Sequence, residues 1–98
     1  MKLVFTSSAR SDLARLQFFL REQSPIAAKN AASRIKKTSL LLLEQPRMGR
    51  PAFGPENYHD DIREIPIRFG GQGYLMRYQI LGDVIRILRI WHFRESRL

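Results

Sequence analysis

The chain contains no cysteine, which excludes disulfides and zinc–thiolate sites and leaves packing alone to hold the fold. A reducing cytoplasm is the compartment that fits. Long apolar runs are also missing. The longest aliphatic stretch, Leu40 to Leu43, falls far short of a membrane span, and Lys2 is not followed by the apolar segment of a secretory signal. No membrane partner is expected. There are 2 histidines, and the one with acidic neighbours stands in His59-Asp60-Asp61. Adjacent residues of a strand point to opposite faces, so that triplet makes a poor metal site. Neither a metal nor a cofactor is expected. Carboxylates are scarce: 9 Asp and Glu stand against 17 Lys and Arg, for a formal charge of +8. Most of the cations are arginine, whose planar fork matches phosphate and carboxylate, so an anionic macromolecular partner is expected.

What is present suffices for one folded domain over residues 1–98. Hydrophobic residues make up 44% and charged residues 27%, a balance that excludes disorder. At this length roughly 60–65% of the unfolded surface is buried, so the stability margin is thin. No internal repeat or low-complexity tail is found.

Periodicity and punctuation give the elements. Leu3, Val4 and Phe5 form a short β-type run, followed by Thr6, Ser7 and Ser8, any of which can cap a helix. A helix over 9–23 buries Ala9, Leu13, Leu16 and Leu20. Ser24-Pro25 starts a second helix, with Ser24 as cap and proline where its missing N–H costs nothing. Ala28, Ala31, Ala32, Ile35, Leu42 and Leu43 form its apolar face, while Lys29, Arg34, Lys36 and Lys37 lie mostly off it. The two helices read as an antiparallel hairpin. Gln45-Pro46 stops the second helix, and prolines and glycines mark 46–58 as an irregular loop. Three β-type runs follow, at 61–67, 74–81 and 84–92, separated by Gly70-Gly71-Gln72-Gly73 and by a tight turn at Gly82-Asp83. The order β-α-α-β-β-β gives an α+β fold, with a helical hairpin packed on a small, mainly antiparallel sheet.

Strict alternation puts Tyr74, Met76, Tyr78 and Ile80 on one face of their strand. In the last strand it puts Val84, Leu88 and Ile90 on one face, and Ile85, Ile87 and Trp91 on the other. Two helices cover only one face. The second is expected to leave apolar groups in water unless a protein partner covers them.

Ser24-Pro25-Ile26-Ala27-Ala28 and Pro46-Arg47-Met48-Gly49-Arg50-Pro51 are similar to the second-helix start and the Pro-x-x-Gly-Arg-Pro loop of ParE-type members of the RelE/ParE family, toxins of bacterial type II toxin–antitoxin systems. Arg63-Glu64-Ile65 resembles the Arg-Glu-Leu of the next strand, and 69–78 the Phe-Gly-x-x-Gly-Tyr-x-x-x-Tyr segment. Ile87 to Glu95 resembles the closing Ile-Leu-x-x-x-His-x-Arg-Glu. The resemblance covers nearly the whole chain. It implies a toxin neutralised by a cognate acidic antitoxin. It also implies one of two targets: DNA gyrase, as in ParE-like members, or messenger RNA on the ribosome, as in RelE-like nucleases.

Metal-free RNA cleavage needs a base for the 2′-hydroxyl, an acid for the leaving oxygen and cations for the charged transition state. Arg63, Arg77 and Arg89 fall on three successive strands and make one basic patch if registers and faces align. His92 closes the last strand and is the acid candidate of a nuclease, with an intrinsic pKa in the useful range. Its plain reading is a structural hydrogen bond at a strand end. Glu64 and Glu95 are possible bases, but no spacing pairs either with His92. RNA-cutting relatives often carry lysines on the central strands and a tyrosine or histidine near the C-terminus. The meander here has no lysine and the closing 94–98 has no tyrosine, which favours the gyrase branch. The residues expected to bind target or antitoxin are Arg63, Arg77, Arg89, His92 and Arg94. A plain basic nucleic-acid-binding module is the third class that the composition allows.

Overall fold

The structure, a computed structural model, describes residues 1–52, 61–69 and 72–95. The chain runs β1 (Lys2–Phe5), α1 (Ser7–Gln23), α2 (Pro25–Glu44), a 3-10 turn (Pro46–Met48), β2 (Arg50–Pro51), β3 (Ile62–Phe69), β4 (Gln72–Leu81) and β5 (Val84–His92). This is the expected α+β order with one addition: the loop after α2 contributes a two-residue strand. The sheet order is β1-β5-β4-β3-β2. β1 is parallel to β5 and the other pairs are antiparallel. Proline suits β2 because the strand is at the sheet edge, where a missing N–H leaves no ladder bond unmade. His59, Asp60, Gly70, Gly71 and the closing residues 96–98 lie outside the described residues.

Local chemistry sets the helix boundaries. The Thr6 hydroxyl accepts from the Ala9 amide at 3.1 Å, so Thr6 is the α1 cap among the three candidates. Ser24 both ends α1, donating its amide to Leu20 O at 2.7 Å, and caps α2, accepting from the Ala27 amide at 3.2 Å. One residue is therefore the whole hairpin connection, and it forces the helices to run back to back. Gly82 takes φ of 60° at the first central position of the β4–β5 turn, the type II′ geometry that needs glycine.

Ala9 and Leu16 from α1, and Ala31, Ile35 and Leu42 from α2, pack on Ile67, Tyr74, Met76, Tyr78, Ile85, Ile87 and Ile90 of the sheet. Leu13, Leu20 and Leu43 are partly buried against this core. Ala32 is exposed, contrary to expectation, because it sits to one side of the stripe marked by Ala28, Ala31 and Ile35. Asp12, in contrast, is buried on the stripe of α1 at 2% exposure.

The expected faces of β5 are corrected by a bulge. Tyr78 pairs with Ile87 while Arg77 pairs with Arg89, so Leu88 is an extra residue opposite a single step of β4. The bulge lies where β1 ends and α1 begins. The Thr6 amide donates to Ile87 O, and its hydroxyl donates to Leu88 O at 3.1 Å. Beyond the bulge the alternation reverses. Ile90 joins Ile85 and Ile87 under the helices, and Arg89 and Trp91 turn to the other face. The second face is accordingly less apolar than strict alternation predicts. The most exposed large hydrophobic side chains lie instead on the helical hairpin, Phe18 at 69%, Phe19 at 56% and Ile26 at 73% exposure, and Leu40 and Leu41 are exposed there too.

Candidate functional site

Pairing across the open face of the sheet builds one row from four strands. Arg89 of β5 stands opposite Arg77 of β4, Arg77 opposite Glu64 of β3, and Glu64 opposite Arg50 of β2. The next row holds Trp91, Leu75 and Pro66. The Arg77 and Arg89 guanidinium groups lie 4.9 Å and 5.1 Å from the Trp91 ring centroid, close enough for cation–π attraction, and the indole is buried beneath them. At the end of the face, Phe93 donates its amide to Gly73 O and lays its ring over Gly73. A Cβ at that glycine would sit 2.6 Å from Ile67 O and 2.8 Å from the ring, and the backbone carbonyl cannot yield cheaply, so glycine is needed here. Arg68 stacks on the same ring at 5.4 Å. A cavity of about 480 Å³ lies here, with Arg50, Glu64, Arg68, Leu75, His92 and Phe93 among its lining residues.

Two carboxylates hold two of these arginines. Glu64 Oε2 accepts from Arg77 Nε at 3.0 Å and Nη2 at 2.7 Å, and Glu64 is 5% exposed. Asp12 reaches β5 from α1. It accepts from Arg89 Nε at 2.8 Å, from Arg15 Nη1 at 2.7 Å and from the Ile90 amide at 2.9 Å. β1 has already ended at this point, so the Asp12 carboxylate satisfies an amide on the open edge of β5 that no strand pairs. Burial pushes the Asp12 carboxyl up, but the hydrogen bonds from Arg89, Arg15 and the Ile90 amide outweigh it and hold the group below the usual carboxylate range. The Arg89 and Arg15 guanidinium groups are raised by the same hydrogen bonds. Arg15 also bonds Glu95 Oε2 at 2.8 Å, tying α1 to the segment after β5.

The five residues expected from the sequence do not form one cluster. Arg77 and Arg89 come together. Arg63 faces the opposite side of the sheet, beside its partner Tyr78, where its Nη1 donates to Gly49 O at 2.9 Å and its Nε to Asp61 at 2.9 Å. The Tyr78 hydroxyl donates to Pro46 O at 2.6 Å and accepts from the Gly49 amide at 2.8 Å. Arg63 and Tyr78 thus staple the loop that delivers Arg50 to the row. His92 lies opposite Tyr74, ring centroids 5.6 Å apart and edge-on, and its Nδ1 accepts from the Arg94 amide at 3.1 Å. Arg94 is exposed and lines, with Arg15, Phe19, Leu20 and Glu95, a second cavity of about 450 Å³ between α1 and the end of β5. No cluster of metal-ligating side chains occurs among the described residues.

Sequence reasoning missed Asp12, Arg50 and Trp91 as members of this surface. Asp12 left a legible signal: it interrupts the Ala9, Leu13, Leu16 stripe at helical spacing, and a carboxylate on a buried stripe needs partners. Arg50 stood in the Pro-x-x-Gly-Arg-Pro motif, but nothing local tied it or Trp91 to this row, because their places depend on the pairing of β2 and on the bulge.

Chemically this is a broad cationic and aromatic surface, charge-compensated at Glu64 and Asp12, with Arg50 and Arg68 at its open end. Comparison with known proteins agrees with the fold. Residues 3–97 match the family model for the ParE toxin of the type II toxin–antitoxin system parDE. The chain is 37% identical over 89 residues to Toxin RelE1 of Caulobacter vibrioides, covering 91% of this chain and 89% of that one. It is 32% identical to Toxin RelE3 of the same organism, over 91% and 90% of the two chains. Among solved structures, it resembles a chain of the chromosomal ParDE system from P. aeruginosa with a TM-score of 0.71, at 23% identity over 93% and 94% of the two chains. It resembles a chain of the intact E. coli RelBE complex with a TM-score of 0.60, at 22% identity over 98% of each. A family match over nearly the whole length, on a sheet and helical hairpin that follow from the residues themselves, places this chain in the ParE/RelE family of toxins of type II toxin–antitoxin systems.

Proposed function

We propose that this toxin, when free of its antitoxin, acts on DNA gyrase by protein–protein contact and does not cut RNA. The observation that carries the reading is the pairing of the central arginines. Arg77 and Arg89 lie on the open face in ion pairs with Glu64 and Asp12, while His92 stands edge-on to Tyr74 at the end of β5. RNA cleavage needs acid, base and free cations converging on one phosphate. A surface of paired arginines around an indole suits an acidic protein face instead, since arginine and tryptophan are typical anchors of interfaces. The antitoxin is taken to be an acidic chain whose apolar residues cover Phe18, Phe19 and Ile26, the most exposed large hydrophobic side chains among the described residues. No helix among the described residues is long and apolar enough to cross a membrane. The working site is proposed to be the cytoplasm, where gyrase acts.

One observation favours the rival reading, ribosome-dependent cleavage of messenger RNA. His92 also lines the open-face cavity with Arg50 and Arg68. Expression of the toxin and of His92→Gln from a tight promoter separates the two readings. Gyrase poisoning predicts loss of plasmid supercoiling, intact messengers and a mild effect of His92→Gln. Rapid messenger cutting at normal supercoiling, with about a 10²–10⁴-fold loss in His92→Gln, would replace the gyrase reading with the nuclease.

A further inference from the structure

We infer that the solvent face of α2 is a second, separate interaction surface, built to lie along the phosphate backbone of double-stranded DNA. This helix carries Lys29, Arg34, Lys36 and Lys37, and its one carboxylate is Glu44, its last residue, beyond the basic stretch. On the open sheet face Arg77 and Arg89 are matched by Glu64 and Asp12. Lys29, Lys36 and Lys37 enter no ion pair among the described residues, and all three are exposed. In a thin-cored domain, such a cluster costs self-repulsion, which an external polyanion would relieve.

The geometry is specific as well as basic. Asn30, Ser33, Arg34, Lys37 and Thr38 recur at spacings of three and four residues and line one wall of a groove of about 600 Å³, closed on the other side by Ile67 of β3. All five carry side-chain hydrogen-bond donors. Arg34 is fixed there by donating Nη1 to Arg68 O at 3.1 Å. The cations run from 29 to 37, about 12 Å along the axis at 1.5 Å per residue. One strand of duplex DNA presents about three or four phosphates over that length. Helix α2 contains no aromatic residue, so it offers unpaired bases nothing to stack on. A row of cations without stacking rings suits a sequence-independent contact along a duplex backbone better than a single-strand platform. The surface lies on the helical side of the molecule, across the sheet from the Arg77, Arg89 and Trp91 face. DNA and a protein target therefore do not compete for the same residues.

The test is fluorescence anisotropy of a short mixed-sequence DNA duplex with the full chain, at salt between about 50 and 200 mM. Four phosphate contacts predict a slope of log affinity on log salt of roughly −3 to −4. Lys36→Glu with Lys37→Glu should weaken binding about 10–100-fold and flatten that slope by about two. Both side chains are exposed, and circular dichroism checks that the fold is kept. Arg10→Glu with Arg21→Glu changes net charge equally, on exposed positions of α1, and should weaken binding less than about threefold. Equal losses from the two pairs would reduce the effect to bulk charge and overturn the inference. So would undiminished binding by the α2 variant, or tighter binding of a single strand than of the duplex. The readout is binding by the chain alone, so it stands or fails independently of the gyrase reading.

Discussion

Removing the Asp12 carboxylate tests the central structural argument. In Asp12→Ala the Ile90 amide loses its acceptor inside the protein, at about 1–3 kcal/mol for a buried donor left unsatisfied. Arg89 and Arg15 lose their ion pairs, but their side chains are 41% and 45% exposed, so water compensates and each contributes only about 0.5–1 kcal/mol. The sum is about 2–5 kcal/mol, against a total stability of roughly 5–15 kcal/mol for a domain this size. At about 4–8 °C per kcal/mol, the midpoint of thermal unfolding should fall by at least about 8 °C. Asp12→Asn keeps an acceptor for the amide and should cost roughly half as much. The dependence on pH gives an independent sign. The folded-state pKa of Asp12 is lowered, so its contribution is present above the unfolded value of about 3.9 and fades as pH falls through the folded value. The gap between wild type and Asp12→Ala, read by urea unfolding under circular dichroism, should therefore be full at neutral pH and narrow in acid, towards the share that a neutral acceptor for the Ile90 amide supplies. A variant within about 0.5 kcal/mol of wild type at neutral pH, or a gap that does not change on acidification, would refute the reasoning.

Tyr78→Phe removes both hydrogen bonds that hold the Pro46–Gly49 loop. It should cost about 1–3 kcal/mol in urea unfolding and make the peptide bonds near Arg50 more susceptible to limited proteolysis. Gly49→Ala should also destabilise, by about 1–3 kcal/mol, because its Cβ would sit 2.6 Å from the Tyr78 hydroxyl and 2.9 Å from Glu64 O, and backbone cannot yield cheaply. Leu16→Asp buries an unpaired charge in the hairpin core and should abolish folding; a folded, soluble monomer would contradict the packing described. Chain purified without an antitoxin should be aggregation-prone at high concentration through Phe18, Phe19 and Ile26, and Phe18→Ser with Ile26→Ser should raise its solubility in light-scattering measurements.

Much of this molecule is legible from local chemistry. Thr6, Ser24 and Pro25 mark helix ends because capping depends on near neighbours alone, and the stripes from Ala9 to Leu20 and from Ala28 to Leu42 follow helical geometry. The Gly82 turn is equally local. From these come the element order, the fold class and, with the ordered motifs, the family. What strict alternation could not supply is the composition of the face. One inserted residue at Leu88 exchanges every later side chain of β5 between the two faces. The insertion is stabilised by Thr6, some eighty residues away in sequence. The row of Arg89, Arg77, Glu64 and Arg50 likewise exists only once four strands are in register, and Arg63, a single position from Glu64, is carried to the far side by the same pleat. Residue types and their spacing along one element are properties of the sequence. The meeting of side chains from different strands is set by long-range hydrogen bonds, for which a period-two pattern carries no register of its own.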